Sequence, residues 1–252
     1  MNFIFDIDGT ISNNGKNIDP KTEKVILKIL DNKVNNVIFA SARPIRDMLP
    51  LLNKKFHNCL LIGCNGGVHY KNGNFIKVHH FYKAEISKIV EFLNKHNIPY
   101  VLDGDWHYCF SETKHEFQDY IASLSDYKLK KDKIIDKGIT KLLILDQNIK
   151  KTFVNFLEIS NFVFNLNNHT KDNFFDITPN QNNKYIALLE CGINVSESYC
   201  FGNDENDFKM LENAKVSVFV SSESTFDKAT INTTFNNVHN IIEQLISQEY
   251  NI

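Results

Sequence analysis

Short, unbroken apolar runs separated by amphipathic segments leave this chain few architectures. Residues 2–7 form the first such run and stop at Asp8-Gly9-Thr10, a turn signal. A helix is expected over 19–32, where Pro20 takes the first helical position after an Asp19 cap and Val25, Ile26, Ile29 and Leu30 fall along one face. The run Val37 to Ala40 reads as a buried strand whose end delivers Ser41 and Arg43. A helix over 45–53 and a strand over 59–64 lead into the turn Asn65-Gly66-Gly67. Strand and helix alternating in this way predict an α/β fold, a Rossmann-like, mostly parallel sheet with helices on its faces.

The rhythm changes between about 81 and 172. A helix over 82–96 precedes short strands over 100–103 and 107–110, a helix near 114–125, then the strand KLLILD, the helix IKKTFVNFLEI and the strand NFVFNL. This is enough for an inserted α+β domain, whose Phe153, Phe156, Phe162 and Phe164 are spaced as core residues. The parallel rhythm resumes with helix 184–191, strand 199–201, helix 206–213, strand 216–220 and a closing helix over 238–248. The expected organisation is a core domain over 1–80 and 176–252, with the insert at 81–175 as a lid.

Composition narrows the function. Twenty-eight basic against thirty acidic residues give a formal net charge of -2, which argues against a nucleic-acid surface or a polybasic membrane surface. The opening MNFIFDIDGT is not expected to act as a secretory leader, and no apolar run is long enough to span a membrane. Cys59, Cys64, Cys109, Cys191 and Cys200 have scattered spacings among apolar neighbours, the pattern of reduced thiols in a cytoplasmic protein. His79, His80 and His169 lack companions at ligand spacing and receive no metal role.

Asp6 and Asp8, two apart at the end of a buried strand, project together where a parallel sheet opens to ligands. Their mutual repulsion calls for a cation, and Mg2+ held by the Asp6 side chain and the Asp8 carbonyl answers it. Gly9 lets the chain turn, and Thr10 is placed to bond the loop backbone. Alone, an acidic turn after a strand is a weak signal, as are a Ser41 that could be a helix cap and a Lys184 that could be a surface lysine.

Taken together they are stronger, because FDIDGT resembles the first motif of the haloacid dehalogenase superfamily of phosphatases and the other motifs follow in order. Ser41 in IFASARP resembles the second motif, whose hydroxyl holds a phosphoryl oxygen. Lys184 in DITPNQNNKYIALL resembles the third, and FGNDENDFKML the fourth, the acidic loop of the metal site. The position of the insert resembles the subclass with a type-two (C2B-like) cap, the Cof-type phosphatases of sugar and cofactor phosphates, a subclass that also includes phosphomannomutases. The resemblance implies a magnesium-dependent phosphomonoester hydrolase in which Asp6 is phosphorylated, Asp8 is acid and base, and Ser41 and Lys184 hold the phosphoryl group. Arg43, Asn65 and Asn206 join Ser41 and Lys184 as expected substrate-binding residues. Asp6, Asp8, Asn203 and Asp207 are the expected metal group.

The departure lies in the fourth motif, which usually reads Gly-Asp and here reads Gly202-Asn203. An Asn offers a carbonyl oxygen but no charge. Three assignments stay open: direct ligation by Asn203, replacement by Asp204 after a loop shift, or Asp207 acting through water. The first is preferred, with Asn206 and Asp207 positioning Lys184 and bound water. The expected partner is a small phosphorylated metabolite, with hexose phosphates, pyridoxal phosphate, flavin mononucleotide and nucleotide monophosphates undistinguished, and the expected state is a monomer or weak homodimer. A phosphosugar mutase and a weakened phosphoryl-ligand binding protein are the alternatives. Asp103, Asp105, Trp106, His107 and Tyr108 in the insert read first as structural and only second as substrate contacts.

Overall fold

The computed structural model describes residues 1–169, 173–180 and 182–250. The first half of the core comprises β1 (Asn2–Phe5), α1 (Pro20–Asp31), β2 (Asn36–Ala40), α2 (Ile45–Met48), β3 (Leu60–Gly63), β4 (Val68–Lys71) and β5 (Asn74–Val78). The insert follows as α3 (Lys83–Lys95), β6 (Tyr100–Asp103), β7 (Tyr108–Phe110), α4 (Glu116–Leu124), α5 (Lys131–Lys137), β8 (Lys141–Ile144), α6 (Lys150–Ile159), β9 (Phe164–His169) and β10 (Phe174–Pro179). The chain returns to the core with α7 (Lys184–Glu190), β11 (Ser198–Gly202), α8 (Phe208–Glu212), β12 (Val216–Val220), β13 (Ile231–Thr233) and α9 (Val238–Tyr250).

Two sheets result. The larger runs β13-β12-β11-β1-β2-β3-β4-β5, parallel from β13 through β3 and closed by the antiparallel hairpin β4–β5. The smaller runs β7-β6-β8-β10-β9 and is antiparallel throughout. This is the α/β fold expected, an open, mostly parallel sheet with an inserted α+β cap. The expected boundary at 175/176 falls inside β10, whose Phe175 and Ile177 pair with β8 and β9, so the cap sheet reaches Pro179.

Strand periodicity explains the layers. Phe3, Phe5, Phe39 and Phe201 point to one face of the large sheet, where Val25, Ile26 and Ile29 of α1 and Ile242 and Leu245 of α9 cover them. Ile4, Ile38 and Cys200 point to the other, against Ala187 and Leu188 of α7 and Met210 and Leu211 of α8. The Asp19 carboxylate accepts from the Thr22 amide at 3.0 Å and caps α1 as expected. In the cap, α3, α5 and α6 cover one face of the sheet, with Phe153 fully buried and Phe156, Phe162 and Phe164 packed against that core. On the opposite face Ile121 and Phe117 of α4 pack on Val101, Leu143 and Phe174.

Several elements differ from expectation. The helix expected over 45–53 ends at Met48, and the buried Leu51 and Leu52 continue as turn. The hairpin β4–β5 was not anticipated, although Asn72-Gly73, both with positive φ (52° and 80°), is a hairpin-turn signal between two strand-like runs. Helix α5 and edge strand β13 were also missed, being short and weakly patterned. Four of the cysteines are buried and Cys191 is partly exposed, all five unpaired as expected; burial pushes the Cys59 and Cys109 thiols up to about 11. No helix among the described residues is long and apolar enough to cross a membrane.

Core and cap are joined by buried charge. Arg46, almost fully buried on α2, makes a two-pronged pair with Asp47 (2.9 and 3.0 Å) and reaches Asp103 of β6 at 2.7 Å. Lys141 of β8 lies 3.4 Å from the other Asp103 oxygen and donates to the Ala42 carbonyl at 3.0 Å. Arg46→Ala leaves the buried Asp47 carboxylate without its cation and Asp103 with Lys141 alone, so it should lower stability by about 3 kcal/mol. Urea unfolding of the two proteins measures this, and a loss under about 1 kcal/mol would show the network to be solvated.

Candidate active site

The site lies where the parallel strands end. Asp6 follows β1, its amide donating to the Phe201 carbonyl at 2.9 Å, while Ser41 follows β2 and Asn203 follows β11. Neighbouring parallel strands release their chains on the same edge, which brings residues distant in sequence into one place. Lys184 opens α7, whose cap is Asn183, with its side-chain oxygen accepting from the Ile186 amide at 3.0 Å. The tight approach explains Gly9, which has φ +82° and where a Cβ would stand 2.2 Å from the Asn203 amide.

The Lys184 ammonium is buried between two carboxylates, 2.6 Å from Asp6 Oδ1 and 2.7 Å from Asp207 Oδ1. Burial works to lower the ammonium, but the two carboxylates outweigh it and hold Lys184 above its ordinary range. Burial pushes the Asp6 carboxyl up to about 7 against the pull of Lys184, with Asp207 and Asp8 adding repulsion. Thr10 does not bond the loop backbone through its side chain as expected. Its hydroxyl donates to Asp6 Oδ2 at 3.0 Å, which leaves Asp6 Oδ1 on Lys184 and orients the carboxylate from both sides.

The Asp8 side chain is part-exposed and clamped by Arg43, whose Nε and Nη2 donate to its two oxygens at 2.6 and 2.7 Å. Ser41 is buried, and its Oγ accepts from the Arg43 amide at 3.1 Å. Asp6, Asp8, Ser41, Arg43, Asn203 and Asn206 all line one cavity of about 560 Å³ between core and cap.

Two expected site residues sit elsewhere. Asp207 is fully buried, with Oδ1 on Lys184 and Oδ2 accepting from the Asn203 and Asp204 amides at 3.0 and 3.3 Å. With both oxygens engaged, it stands behind Lys184, shapes the loop and does not line the cavity. Asn65 is buried below the cavity, donating to Asp176 at 3.1 and 3.2 Å and accepting from Asn206 at 3.0 Å. It does not line the cavity, whereas Asn206 does and keeps a buried Oδ1 with no partner among the described residues.

Asp176 escaped the sequence reading. Fully buried on β10, it also receives Asn167 at 2.8 Å and His169 Nε2 at 2.8 Å, so a cap aspartate ties β9, β10 and core Asn65 together. Burial works to raise its carboxyl, and His169, Lys141 and Asn167 together more than offset that, leaving it below its ordinary range. Of the five insert residues around the first hairpin, Asp103 alone lines the cavity. His79, expected to lack companions, has one: it meets Glu190 at 2.8 Å, with His69 Nε2 3.7 Å from the same oxygen, a juxtaposition made by folding and invisible in the spacing.

The residues present fit a divalent cation. The Asn203 side-chain amide stands 2.9 Å from the Asp8 carbonyl and 3.1 Å from Asp6 Oδ2. With its oxygen turned inward, Asn203 adds a third hard oxygen beside Asp6 Oδ2 and the Asp8 carbonyl, a donor set that suits a divalent cation. With its nitrogen inward, the same distances are hydrogen bonds from the amide to Asp6, Asp8 and Thr10.

Comparison with known proteins bears on the family and the fold. A model of the family described as haloacid dehalogenase-like hydrolase matches residues 3–245. A curated relative, "Putative phosphatase BU028/BU029" of Buchnera aphidicola subsp. Acyrthosiphon pisum (strain APS), is 26% identical over 221 residues, covering 82% of this chain and 79% of its own. Among solved structures, TM0651 from Thermotoga maritima superposes with a TM-score of 0.78 at 24% identity over 96% of each chain. The subclass IIB sugar phosphatase BT4131 does so with a TM-score of 0.79 at 16% identity, over 97% of this chain and 98% of its own.

Proposed function

Since the chain belongs to the haloacid dehalogenase-like hydrolase family, we propose that it is a phosphatase that hydrolyses small phosphomonoesters through a phosphoaspartate on Asp6. The observation that carries this is the convergence of Asp6, Asp8 and Ser41 on one cavity, with Asp6 held from behind by the buried Lys184 at 2.6 Å and by Thr10 at 3.0 Å. The Asp6 carboxylate attacks phosphorus while the bond from phosphorus to the leaving oxygen breaks, and Lys184 and the Ser41 hydroxyl hold phosphoryl oxygens. Asp8 gives its proton to the departing alkoxide. It then takes a proton from the water that cleaves the acyl phosphate, releasing phosphate and restoring Asp6.

Arg43 occupies both Asp8 oxygens, so donation to the leaving group requires it to release one. An incoming phosphoryl group, with its own negative oxygens, competes for the guanidinium and supplies that release. Mg2+ held by the Asp6 carboxylate, the Asp8 carbonyl and the Asn203 side-chain oxygen would supply positive charge beside the phosphoryl oxygens. Free thiols are in keeping with a cytoplasmic setting.

Phosphate release from a panel of phosphomonoesters tests the reading, with magnesium and with EDTA. Turnover that requires the metal is the expected result. A folded sample that releases nothing from any compound would instead favour a mutase or a phosphoryl-ligand binding protein.

A further inference from the structure

Resting on the phosphatase reading, we infer that the preferred leaving group carries a planar aromatic ring next to the phosphoester, and that hexose phosphates are poor substrates. The cap side of the cavity carries the argument. Its polar members are already satisfied. Asp103 is held by Arg46 at 2.7 Å and by Lys141 at 3.4 Å, Lys141 also donates to the Ala42 carbonyl, and His169 is held by Asp176. The rest of the cap lining is apolar or aromatic. A hexose would bring several hydroxyls against this wall and find few free partners, and each unpaired polar group costs binding energy.

The aromatic residues are placed for one kind of contact. The Phe174 and Phe117 rings lie 4.9 Å apart and the Phe117 and Tyr120 rings 5.4 Å apart, forming a strip along α4. Phe174 belongs to the small core beneath α4, but Phe117 is only partly buried and Tyr120 is 38% exposed. A Cβ at Gly15 would stand 2.7 Å from Arg43 Nη2, 3.4 Å from the Tyr120 hydroxyl and 3.6 Å from Asp8 Oδ1, so that hydroxyl lies beside the guanidinium that clamps Asp8. The strip therefore begins beside the acid that serves the leaving oxygen and runs away from it into the cap. A flat ring attached one carbon from the ester oxygen can lie along the strip beside the planar guanidinium.

The test compares kcat/KM for pyridoxine 5′-phosphate and benzyl phosphate with that for glucose 6-phosphate and glycerol 2-phosphate. The aromatic pair should be favoured by about ten-fold or more. Phe117→Ala should raise KM for the aromatic pair by about ten-fold and leave glycerol 2-phosphate within about two-fold, while Tyr120→Phe keeps the aromatic preference. Equal or faster hydrolysis of glucose 6-phosphate, or an equal effect of Phe117→Ala on all four, overturns the inference while the phosphatase reading stands. If nothing is turned over, calorimetric binding of the same compounds to Asp6→Asn decides separately. Tighter binding of the aromatic pair upholds the inference without the hydrolase, and no preference sinks it.

Discussion

Replacing Asp6 by Asn should reduce phosphate release by at least ~10⁴-fold while leaving the protein folded, because the amide cannot form the covalent phosphoryl intermediate. The geometry makes this sharper than a general loss of charge. Asp6 is held by Lys184 on one oxygen and Thr10 on the other, and an Asn keeps the shape and can still accept from Lys184 through its carbonyl. The substitution also removes a buried carboxyl that burial holds up near 7. Stability should therefore change by no more than about 1–2 kcal/mol, small beside the loss of rate. The measurement is single-turnover phosphate release together with a rapid-quench search for acid-stable phosphorylated protein. Wild-type protein should show the transient adduct and the variant none. An adduct of normal amplitude in the variant would place the nucleophile elsewhere.

Asn203→Asp should tighten magnesium binding by roughly ten- to a hundred-fold, because it adds a full negative charge to a donor set that now has one. The same change should lower the thermal midpoint in EDTA. In the wild-type protein without metal, the Asn203 amide can donate to Asp6 Oδ2 at 3.1 Å and to the Asp8 carbonyl at 2.9 Å. A carboxylate there can donate nothing and faces Asp6 as a like charge. The variant should thus be less stable than wild type without metal and more stable with millimolar magnesium, a reversal of sign that a generally damaging substitution does not produce. Titration calorimetry and paired melting curves read both effects. Unchanged metal affinity would remove Asn203 from the ion site and reopen Asp204.

Local signals made much of this legible in advance. The apolar runs ending at Asp6, Ser41 and Gly202 are strands whose ends share one edge, and Pro20 after Asp19 marks a helix start that the structure reproduces. Elements with little local signal were lost, among them α5, the edge strand β13 and the hairpin β4–β5, where the Asn72-Gly73 turn was legible but unread. The end of the insert was misplaced because DITP leads directly to Lys184 and so reads with the core, while β-pairing assigns Phe175 and Ile177 to the cap.

The sequence by itself determined the order of the candidate site residues along the chain, Asp6 and Asp8 after the first strand, a hydroxyl after the second and a lysine opening a helix. These follow from periodicity, capping and turn chemistry, which act over a few residues. Tertiary structure alone decided which acidic-loop residue meets which partner. Asp207 and Asn203 are four apart in sequence, yet one backs Lys184 and the other faces Asp6. It also decided that Asn65 serves Asp176, 111 residues away, and that Arg46 locks the cap through Asp103. Such buried polar groups take whichever partner the packed chain brings within hydrogen-bond distance, and long-range packing sets that distance.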